Sequence, residues 1–239
     1  MLEPVQLVVL GASAFGEAAS LLRDINASEG GPRYKVVALL DDDDGLHGTE
    51  IQGVPVAGGL DRWVDYPVSS FVFLIGSHRS RIQRRSILQR LDIPRERFAT
   101  LIHPTAVVFE GAQIGRGCLL YSGVVVFNDS VLEDFVLILP NSVVGAHCTV
   151  ATCALIASSV STGSGTRIGP CTHVGSGAVI NEGIELGAGS QVAMAAFVVR
   201  PLPDGAMCMG NPAQAIRRVA VPDELARLWR DHPCRKQES

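Results

Sequence analysis

The chain has 239 residues, 47% of them apolar, and its 20 lysines and arginines against 24 acidic residues give a formal charge of -4. This acidic balance, with arginines scattered along the chain, argues against a nucleic-acid-binding protein, which normally presents a basic face to the phosphate backbone. No stretch approaches the ~20 apolar residues of a membrane span, so we expect a cytoplasmic protein of one large or two small domains.

An apolar run near the N-terminus predicts the first buried strand, at residues 5–10. The residues that follow, from Gly11 to Gly16, predict a tight turn and the start of a helix. In a strand–turn–helix arrangement, the backbone amides at the helix N-terminus can hold phosphate oxygens. The turn is therefore a candidate phosphate site, and a purely structural turn is the alternative.

Two more predicted strands give this region a βαβ order. The strand at residues 34–40 ends in four aspartates, and the strand at residues 71–75 ends in Gly76, before a helix that contains Arg79, Arg81 and Arg84. An acidic residue after the second strand suits a ribose or a base. Residues 1–98 therefore predict an α/β, Rossmann-like N-terminal domain.

A period of six residues runs from residue 102 to residue 198. Sixteen of the seventeen residues at this spacing are aliphatic, and the residue four places after each is mostly small. A period of six fits neither the 3.6 of a helix nor the 2 of an ordinary strand. It fits a triangular coil in which eighteen residues make three short parallel strands, stacked on the next coil at about 4.8 Å. The alternative, a sandwich of alternating strands, would not hold this phase for so long.

Two end signatures bracket the repeat, LIHPTA at residues 101–106 and PDG at 203–205 followed by GNPA at 210–213. With them, residues 99–215 resemble the hexapeptide-repeat acyltransferases, whose fold is a left-handed parallel β-helix that trimerises. Related coils also carry γ-class carbonic anhydrases, which need three histidines on neighbouring strands for their metal. His103, His147 and His173 stand at three different places in their hexads, so we expect no metal site.

A Rossmann-like domain fused to such a coil resembles the NeuD/PglD-type family, which includes sialic acid O-acetyltransferases and N-acetyltransferases of nucleotide-linked 4-amino sugars. The resemblance spans nearly the whole chain and implies a homotrimer that uses acetyl-CoA, or another acyl-CoA, with each site between two subunits. It also implies that the N-terminal domain holds a nucleotide sugar. The residues it assigns to this acceptor are Gly11, Ser13, Gly16, Asp41, Asp42, Gly76 and Arg81. Where the family has Gly-Gly-His, this chain has SAF at residues 13–15.

Direct acyl transfer from a thioester needs a base beside the acceptor and a donor for the developing oxyanion. The family places its base, a histidine, in the eighth hexad, which in a gapless count is 143–148 and contains His147, one residue beyond the family's place at Ala146. A second register puts Asn128 at the place of the base, with Asp129 beside it. The gapless count is preferred because it runs to both end signatures.

Asp129 and His147 are eighteen residues apart, so they should stack on adjacent coils. The candidate catalytic residues are therefore His147 as general base, Asp129 to orient its imidazole, and Asn128. The alternative is a corner histidine that bonds a backbone carbonyl. Cys148 is interpreted as a small inward corner residue rather than a nucleophile, and all six cysteines are expected to be reduced thiols.

Small residues in the upper coils should leave room for the pantetheine arm of coenzyme A. The candidate coenzyme A-binding residues are Gly163, Gly165, Gly175 and Gly177, together with Arg200 and Arg217 for the nucleotide phosphates. Residues 216–239 predict a tail with a short amphipathic helix that packs on the coil wall or on a neighbouring subunit.

Three functions stay open at this point. The leading hypothesis is acyl transfer to an amino or hydroxyl group of a sugar or nucleotide sugar. The altered turn at residues 13–15 favours a different small-molecule acceptor, for instance in specialised metabolism. Ala146, which stands where a histidine is expected, motivates the third, a non-catalytic relative that binds a nucleotide or a partner enzyme as a scaffold.

Overall fold

The computed structural model describes residues 3–28, 33–77 and 80–238, and Arg79 of the helix predicted after the third strand lies outside them. The first part of the chain forms a five-stranded sheet with flanking helices. Its elements in chain order are β1 (Val5–Leu10), α1 (Phe15–Ala27), β2 (Tyr34–Leu40), a 3-10 turn (Asp44–Leu46), β3 (Glu50–Ile51), β4 (Val54–Gly58), a 3-10 turn (Leu60–Asp65), β5 (Ser70–Phe73), α2 (Gln83–Leu91) and a 3-10 turn (Arg95–Arg97).

The strand order of this sheet is β3-β4-β2-β1-β5, with β1 parallel to both of its neighbours. The chain crosses from β1 to β2 through α1, which is the predicted βαβ order, and both strands have the predicted bounds. β5 ends two residues before its predicted end. α2 begins at Gln83, so Arg81 precedes the helix instead of lying within it. The β3–β4 hairpin was not predicted.

A coil of seventeen two-residue strands follows, as the six-residue period predicts. These strands are β6 (Leu101–Ile102), β7 (Val107–Val108), β8 (Gln113–Ile114), β9 (Leu119–Leu120), β10 (Val125–Val126), β11 (Val131–Leu132), β12 (Leu137–Ile138), β13 (Val143–Val144), β14 (Thr149–Val150), β15 (Leu155–Ile156), β16 (Ser161–Thr162), β17 (Arg167–Ile168), β18 (His173–Val174), β19 (Val179–Ile180), β20 (Glu185–Leu186), β21 (Gln191–Val192) and β22 (Phe197–Val198).

Every third strand joins the same parallel sheet, so the coil has three faces. We call the sheet that begins with β6 face 1, the sheet that begins with β7 face 2, and the sheet that begins with β8 face 3. Each strand pairs with the strand eighteen residues further on, as Val125 does with Val143. The predicted parallel coil is therefore confirmed, while its left-handedness stays a prediction.

The second residue of each strand points into the coil, and these residues form its core. From Leu120 to Val198 they are at most 4% exposed. Small corner residues complete this core, and polar ones bond the backbone of adjacent coils. Ser130 is an example, because its hydroxyl donates to the Gly145 carbonyl (2.7 Å) and accepts from the Cys148 N–H (3.0 Å). Satisfied polar groups of this kind can be buried without a large penalty.

The chain leaves the coil through a hairpin and a short helix. β23 (Ala206–Gly210) continues face 1 in parallel, and β24 (Ala213–Arg218) turns back antiparallel to it. The helix α3 (Asp223–Arg230) and a final 3-10 segment (Pro233–Glu238) follow. Trp229 of α3 is completely buried against Cys153 and Cys171, so the predicted amphipathic helix packs on the wall of its own coil.

Two of the three faces of the coil are covered by other parts of the chain. On face 1, Leu101 and Leu119 are buried against the N-terminal sheet and α1, and His103 bonds Asp24 of α1 at 3.0 Å. On face 3, His232 and Arg235 of the C-terminal segment contact Glu133 (2.5 Å) and Glu185 (3.0 Å), respectively.

Face 2 is different, because it leaves apolar side chains in contact with solvent. Its outward residues include Val107 and Val179, which are 47% and 43% exposed, and Val125, Val143 and Phe197, which are half-buried.

In the described parts of the chain, no helix is long and apolar enough to cross a membrane.

Candidate active site

Tight corners on adjacent coils bring the three predicted catalytic candidates together. Asn128, Asp129 and His147 lie on the corner between faces 2 and 3. Asp129 and His147 both have a backbone φ of 56°, in the left-handed region that asparagine and aspartate tolerate better than most residues. The His147 N–H donates to the Asn128 carbonyl at 3.0 Å, which stacks the two corners directly on one another.

The side chains of these residues form a small polar cluster. His147 Nδ1 lies 3.7 Å from Asp129 Oδ2, and Asn128 Nδ2 donates to the same oxygen at 2.9 Å. The side chains of His147 and Asp129 are 65% and 56% exposed. The carboxylate is thus placed to orient the imidazole, and the imidazole is open to a substrate that arrives from solvent.

The coil above His147, toward higher residue numbers, carries glycines in the same columns. Gly165 lies directly above His147, with a φ of 68°, and donates its N–H to the Ala146 carbonyl at 2.8 Å. Gly163 lies above Gly145, and a Cβ added to it would come within 2.5 Å of the Glu182 nitrogen. Gly163 and Gly165 thus present backbone without side chains on the coil above His147, and their contact with a pantetheine arm stays a prediction.

The remaining candidates for coenzyme A binding are dispersed in a single chain. Gly175 and Gly177 lie on the corner between faces 1 and 2, not on the corner of His147. Arg200, after β22, and Arg217, in β24, are both exposed. One chain therefore brings only Gly163 and Gly165 next to the catalytic candidates.

Cys148 is a core residue, in agreement with the interpretation of the sequence. It is 2% exposed and its thiol donates to the Gly163 carbonyl at 3.3 Å. Burial raises the pKa of this thiol. Since the thiolate is the nucleophilic form, Cys148 is poorly suited to attack a thioester.

Most of the predicted acceptor residues meet at the carboxyl ends of β1, β2 and β5. Gly11 has a φ of 104°, and a Cβ there would come within 2.8 Å of the Ile75 side chain. The next N–H, that of Ala12, donates to Asp41 Oδ2 at 2.8 Å. Ser13 and Gly16 are exposed at the start of α1. Parallel sheets bind ligands at this edge, so these four predicted residues are suitably placed.

Gly76 and Arg84 show a close approach at the end of β5 that the sequence did not reveal. The Arg84 side chain is almost completely buried and donates to the carbonyls of Ile75 (2.5 Å) and Phe135 (2.8 Å). A Cβ on Gly76 would collide with this guanidinium. Gly76 is therefore required for packing between the N-terminal sheet and the coil, and its role in binding an acceptor stays a prediction.

Asp42 and Arg81 are engaged in contacts within the chain. Asp42 accepts from the Leu60 N–H (2.9 Å) and from Arg90 (2.6 Å). Partial burial by itself would raise the pKa of Asp42, but these two donors outweigh it and hold the pKa below its usual value. Arg81 is 6% exposed and donates to the Gly189 carbonyl of the coil. Nucleotide binding by either residue also stays a prediction.

His173 lies beneath the N-terminal sheet, whereas the sequence favoured a surface or intersubunit position. It lines a cavity of about 220 Å³ between face 1 and the end of β5, together with Gly76, Ser77, Leu139 and Leu155. Within residues 3–28, 33–77 and 80–238, no three histidine, cysteine, aspartate or glutamate side chains are grouped as a metal site.

Phe109 and Phe127 lie on the same corner as His147, and neither was among the residues predicted from the sequence. Their rings stack in parallel, with centroids 4.8 Å apart and an angle of 5° between the planes. The available signal was a pair of phenylalanines eighteen residues apart at an outward corner position. That signal becomes visible only when the repeat is arranged as stacked coils.

Solved structures of sugar acetyltransferases match this fold along nearly its whole length. A histidine-to-asparagine mutant of perosamine N-acetyltransferase from Caulobacter crescentus, in complex with CoA and GDP-perosamine, is 25% identical, with a TM-score of 0.76 over 91% of this chain and 99% of that one. The acetyltransferase domain of PglB from Neisseria gonorrhoeae, in complex with acetyl coenzyme A, is 27% identical, with a TM-score of 0.74 over 90% of this chain and 100% of that one.

A third structure, WeeI from Acinetobacter baumannii, shares the fold at 22% identity, with a TM-score of 0.58 over 89% of this chain and 100% of that one. No protein-family model matches the chain, and no curated protein sequence matches it significantly. The resemblance to sugar acetyltransferases of the hexapeptide-repeat type, inferred from the sequence, is confirmed by the structural matches.

Proposed function

We propose that this chain is an acetyl-CoA-dependent acetyltransferase that acts on an amino or hydroxyl group of a sugar or nucleotide sugar. The observation that carries this proposal is the exposed His147–Asp129 pair below a strip of bare backbone, in a fold shared with enzymes that bind CoA and GDP-perosamine. Acetyl-CoA is the co-substrate, and the chemistry needs no metal.

In the proposed mechanism, the acceptor nitrogen or oxygen attacks the thioester carbonyl directly. The new C–N or C–O bond forms as the C–S bond breaks, and no covalent enzyme intermediate occurs. His147 removes the proton from the acceptor and delivers it to the departing thiolate of coenzyme A. Asp129 keeps the imidazole oriented for both transfers. A positioned general base of this kind contributes about 10²–10⁴-fold to the rate.

We assign residues 1–98 to a Rossmann-like domain that binds the nucleotide sugar and residues 99–215 to a left-handed β-helix that carries the chemistry. We assign residues 216–239 to a C-terminal tail that contains α3. The parallel order around β1 supports the first assignment, because ligands of such sheets bind outside the carboxyl ends of the strands. Gly11, Ser13, Gly16 and Asp41 lie at that edge.

The proposed enzyme works as a homotrimer with each site between two subunits. In a triangular coil, the corner between faces 2 and 3 is opposite face 1, which carries the N-terminal sheet. The acceptor-binding edge and His147 of one chain are therefore on opposite sides of the coil, and a neighbouring chain is needed to join them. Face 2, with Val107 and Val179 exposed, offers the apolar surface for that contact.

Acetyl-CoA should raise the melting temperature of the purified protein, because a ligand that binds only the folded state stabilises it by mass action, by about 2.7 kcal/mol at a hundred times its Kd. Free thiol should then appear when GDP-perosamine or another nucleotide-linked amino sugar is added, and not with GDP alone. If the intact oligomer shows no stabilisation by acetyl-CoA and no thiol release, the result would instead support the non-catalytic scaffold.

Changing Asp129 to asparagine should lower kcat about 10-fold, as a part of the general-base contribution, because the imidazole loses its orienting carboxylate. Asparagine tolerates the left-handed backbone that residue 129 adopts, so the fold should be kept. Steady-state kinetics should show an unchanged KM for acetyl-CoA. If Asp129→Glu recovers kcat, the carboxylate acts by orienting the imidazole and not only by stabilising the fold. An unaltered kcat in Asp129→Asn would contradict the orienting role.

A further inference from the structure

The column of residues that contains Phe109 and Phe127 continues upward past His147. Residues 109, 127, 145 and 163 are spaced by eighteen, so they occupy the same corner position in four successive coils. The lower two are phenylalanines, 43% and 37% exposed, whose rings stack at 4.8 Å. That distance equals the spacing between coils, about 4.8 Å. Flat groups can therefore stack in the lower part of this column at one per coil.

Glycine occupies the third and fourth positions of this column. A Cβ added to Gly145 would come within 2.7 Å of the Thr162 carbonyl oxygen, so the close packing of the coils excludes any side chain there. Ala146, the next residue, adds only a methyl group. The upper surface of the Phe127 ring is thus left uncovered by its own column, on the coil directly below His147.

The residues beside this surface are those of the proposed active site. Asn128 and Asp129 follow Phe127 directly, and His147 follows Gly145 by two residues. The bare backbone at Gly163 and Gly165 lies above His147, where the pantetheine arm is proposed to run. A group that rests on Phe127 would therefore lie beside His147, next to the proposed path of the thioester on the coil above.

We propose that the sugar ring of the acceptor stacks with its apolar C–H face on Phe127, as the third layer of this aromatic column. The proposal rests on the proposed function and deepens it by naming the acceptor class. One face of many pyranoses presents only C–H groups, and the negatively polarised surface of an aromatic ring attracts them. The favoured acceptor is therefore a pyranose without a polar substituent on that face, deoxy sugars included.

The polar neighbours of Phe127 fit such an orientation. With its flat side on the ring, a pyranose directs its hydroxyl or amino groups outward around its edge. The Asn128 amide and the Asp129 carboxylate, 2.9 Å apart, are available at that edge, and His147 lies on the coil above. Phe109 supports the Phe127 ring from below and makes no contact with the sugar.

The test compares Phe127→Ala with the unaltered protein in steady-state assays, with GDP-perosamine and other nucleotide-linked amino sugars as acceptors. We expect the KM of the acceptor to rise about 10-fold, which is about 1.4 kcal/mol and within the range of aromatic contacts. The KM of acetyl-CoA and the oligomeric state should stay unchanged. Phe127→Leu keeps an apolar side chain without the ring surface and should show most of the effect.

Val68→Ala is the matched control, because Val68 is 83% exposed and precedes β5, far from the coil corner. Its acceptor KM should equal that of the unaltered protein. If Phe127→Ala and Phe127→Leu keep the acceptor KM within twofold while turnover is measurable, the stacking proposal is overturned and the proposed function stands.

A binding measurement independent of turnover separates the two proposals. In saturation-transfer NMR, irradiation of the aromatic protons should transfer magnetisation to the C–H protons of one pyranose face, and this transfer should vanish in Phe127→Ala. Its presence in a protein without turnover would support stacking and overturn the proposed function. Transfer to the nucleobase alone, or no transfer to any sugar, would overturn the stacking proposal.

Discussion

Replacing His147 with alanine is expected to lower kcat by about 100-fold or more, because a positioned general base contributes about 10²–10⁴-fold. The side chain is 65% exposed, so its loss should leave the coil core intact. Steady-state thiol release would measure the effect, and sedimentation would verify the oligomer. The KM of acetyl-CoA should change little, because the proposed role of the imidazole is in the chemical step.

His147→Asn provides the matched control for the backbone. Residue 147 has a φ of 56°, where alanine is strained and asparagine is tolerated. Both variants should lose turnover equally, although His147→Asn should melt at a higher temperature than His147→Ala. If His147→Asn kept its turnover and His147→Ala did not, the loss would come from the backbone and the general-base assignment would be wrong.

Replacing Trp229 with alanine is expected to destabilise the docking of α3 by about 3–5 kcal/mol, the usual cost of truncating a large buried aromatic side chain. Trp229 is completely buried and packs with Leu225 against Ala151, Cys153 and Cys171. Native-state hydrogen exchange would measure this loss of stability. The amides of residues 223–230 should exchange about a hundredfold faster, or more, in Trp229→Ala than in the unaltered protein.

Leu228→Ala is the control in the same helix, since the Leu228 side chain is 37% exposed. Leu228 is not part of the buried cluster of Trp229, so the variant should change the exchange of α3 only about twofold, as for surface substitutions within about 0.5 kcal/mol. Trp229→Phe should retain most of the protection. Equal exchange in Trp229→Ala and Leu228→Ala would show that α3 is not held by the buried ring.

The sequence predicts the coil well because every turn of it repeats the same requirement. An aliphatic residue must point inward every sixth position, so the phase persists and eighteen residues define one coil. The pairing of Asp129 with His147 follows from that number alone, and the structure places their side chains 3.7 Å apart. The bounds of β1 and β2 were predictable for a similar reason, because buried parallel strands are continuous apolar runs.

Contacts between remote segments leave no such pattern in the sequence. Arg84 looks like a surface residue of a basic helix, yet it is buried where the carbonyls of Ile75 and Phe135 both accept from it. Arg81, which the family resemblance assigns to the acceptor, donates to the carbonyl of Gly189, 108 positions away. Phe135 and Gly189, which help to bury these arginines, belong to the coil, so the local composition around each arginine does not identify them.

The hairpin of β23 and β24 also affects how the protein behaves at high concentration, where the ends of two coils can meet. A parallel coil that simply stopped would expose a row of unpaired backbone groups, onto which the coil of another molecule could add and grow into a fibre. β24 runs antiparallel to β23 and carries the exposed cations Arg217 and Arg218. An incoming parallel rung meets the wrong strand direction and would have to bury these charged side chains, so end-to-end aggregation is discouraged at this end of the coil.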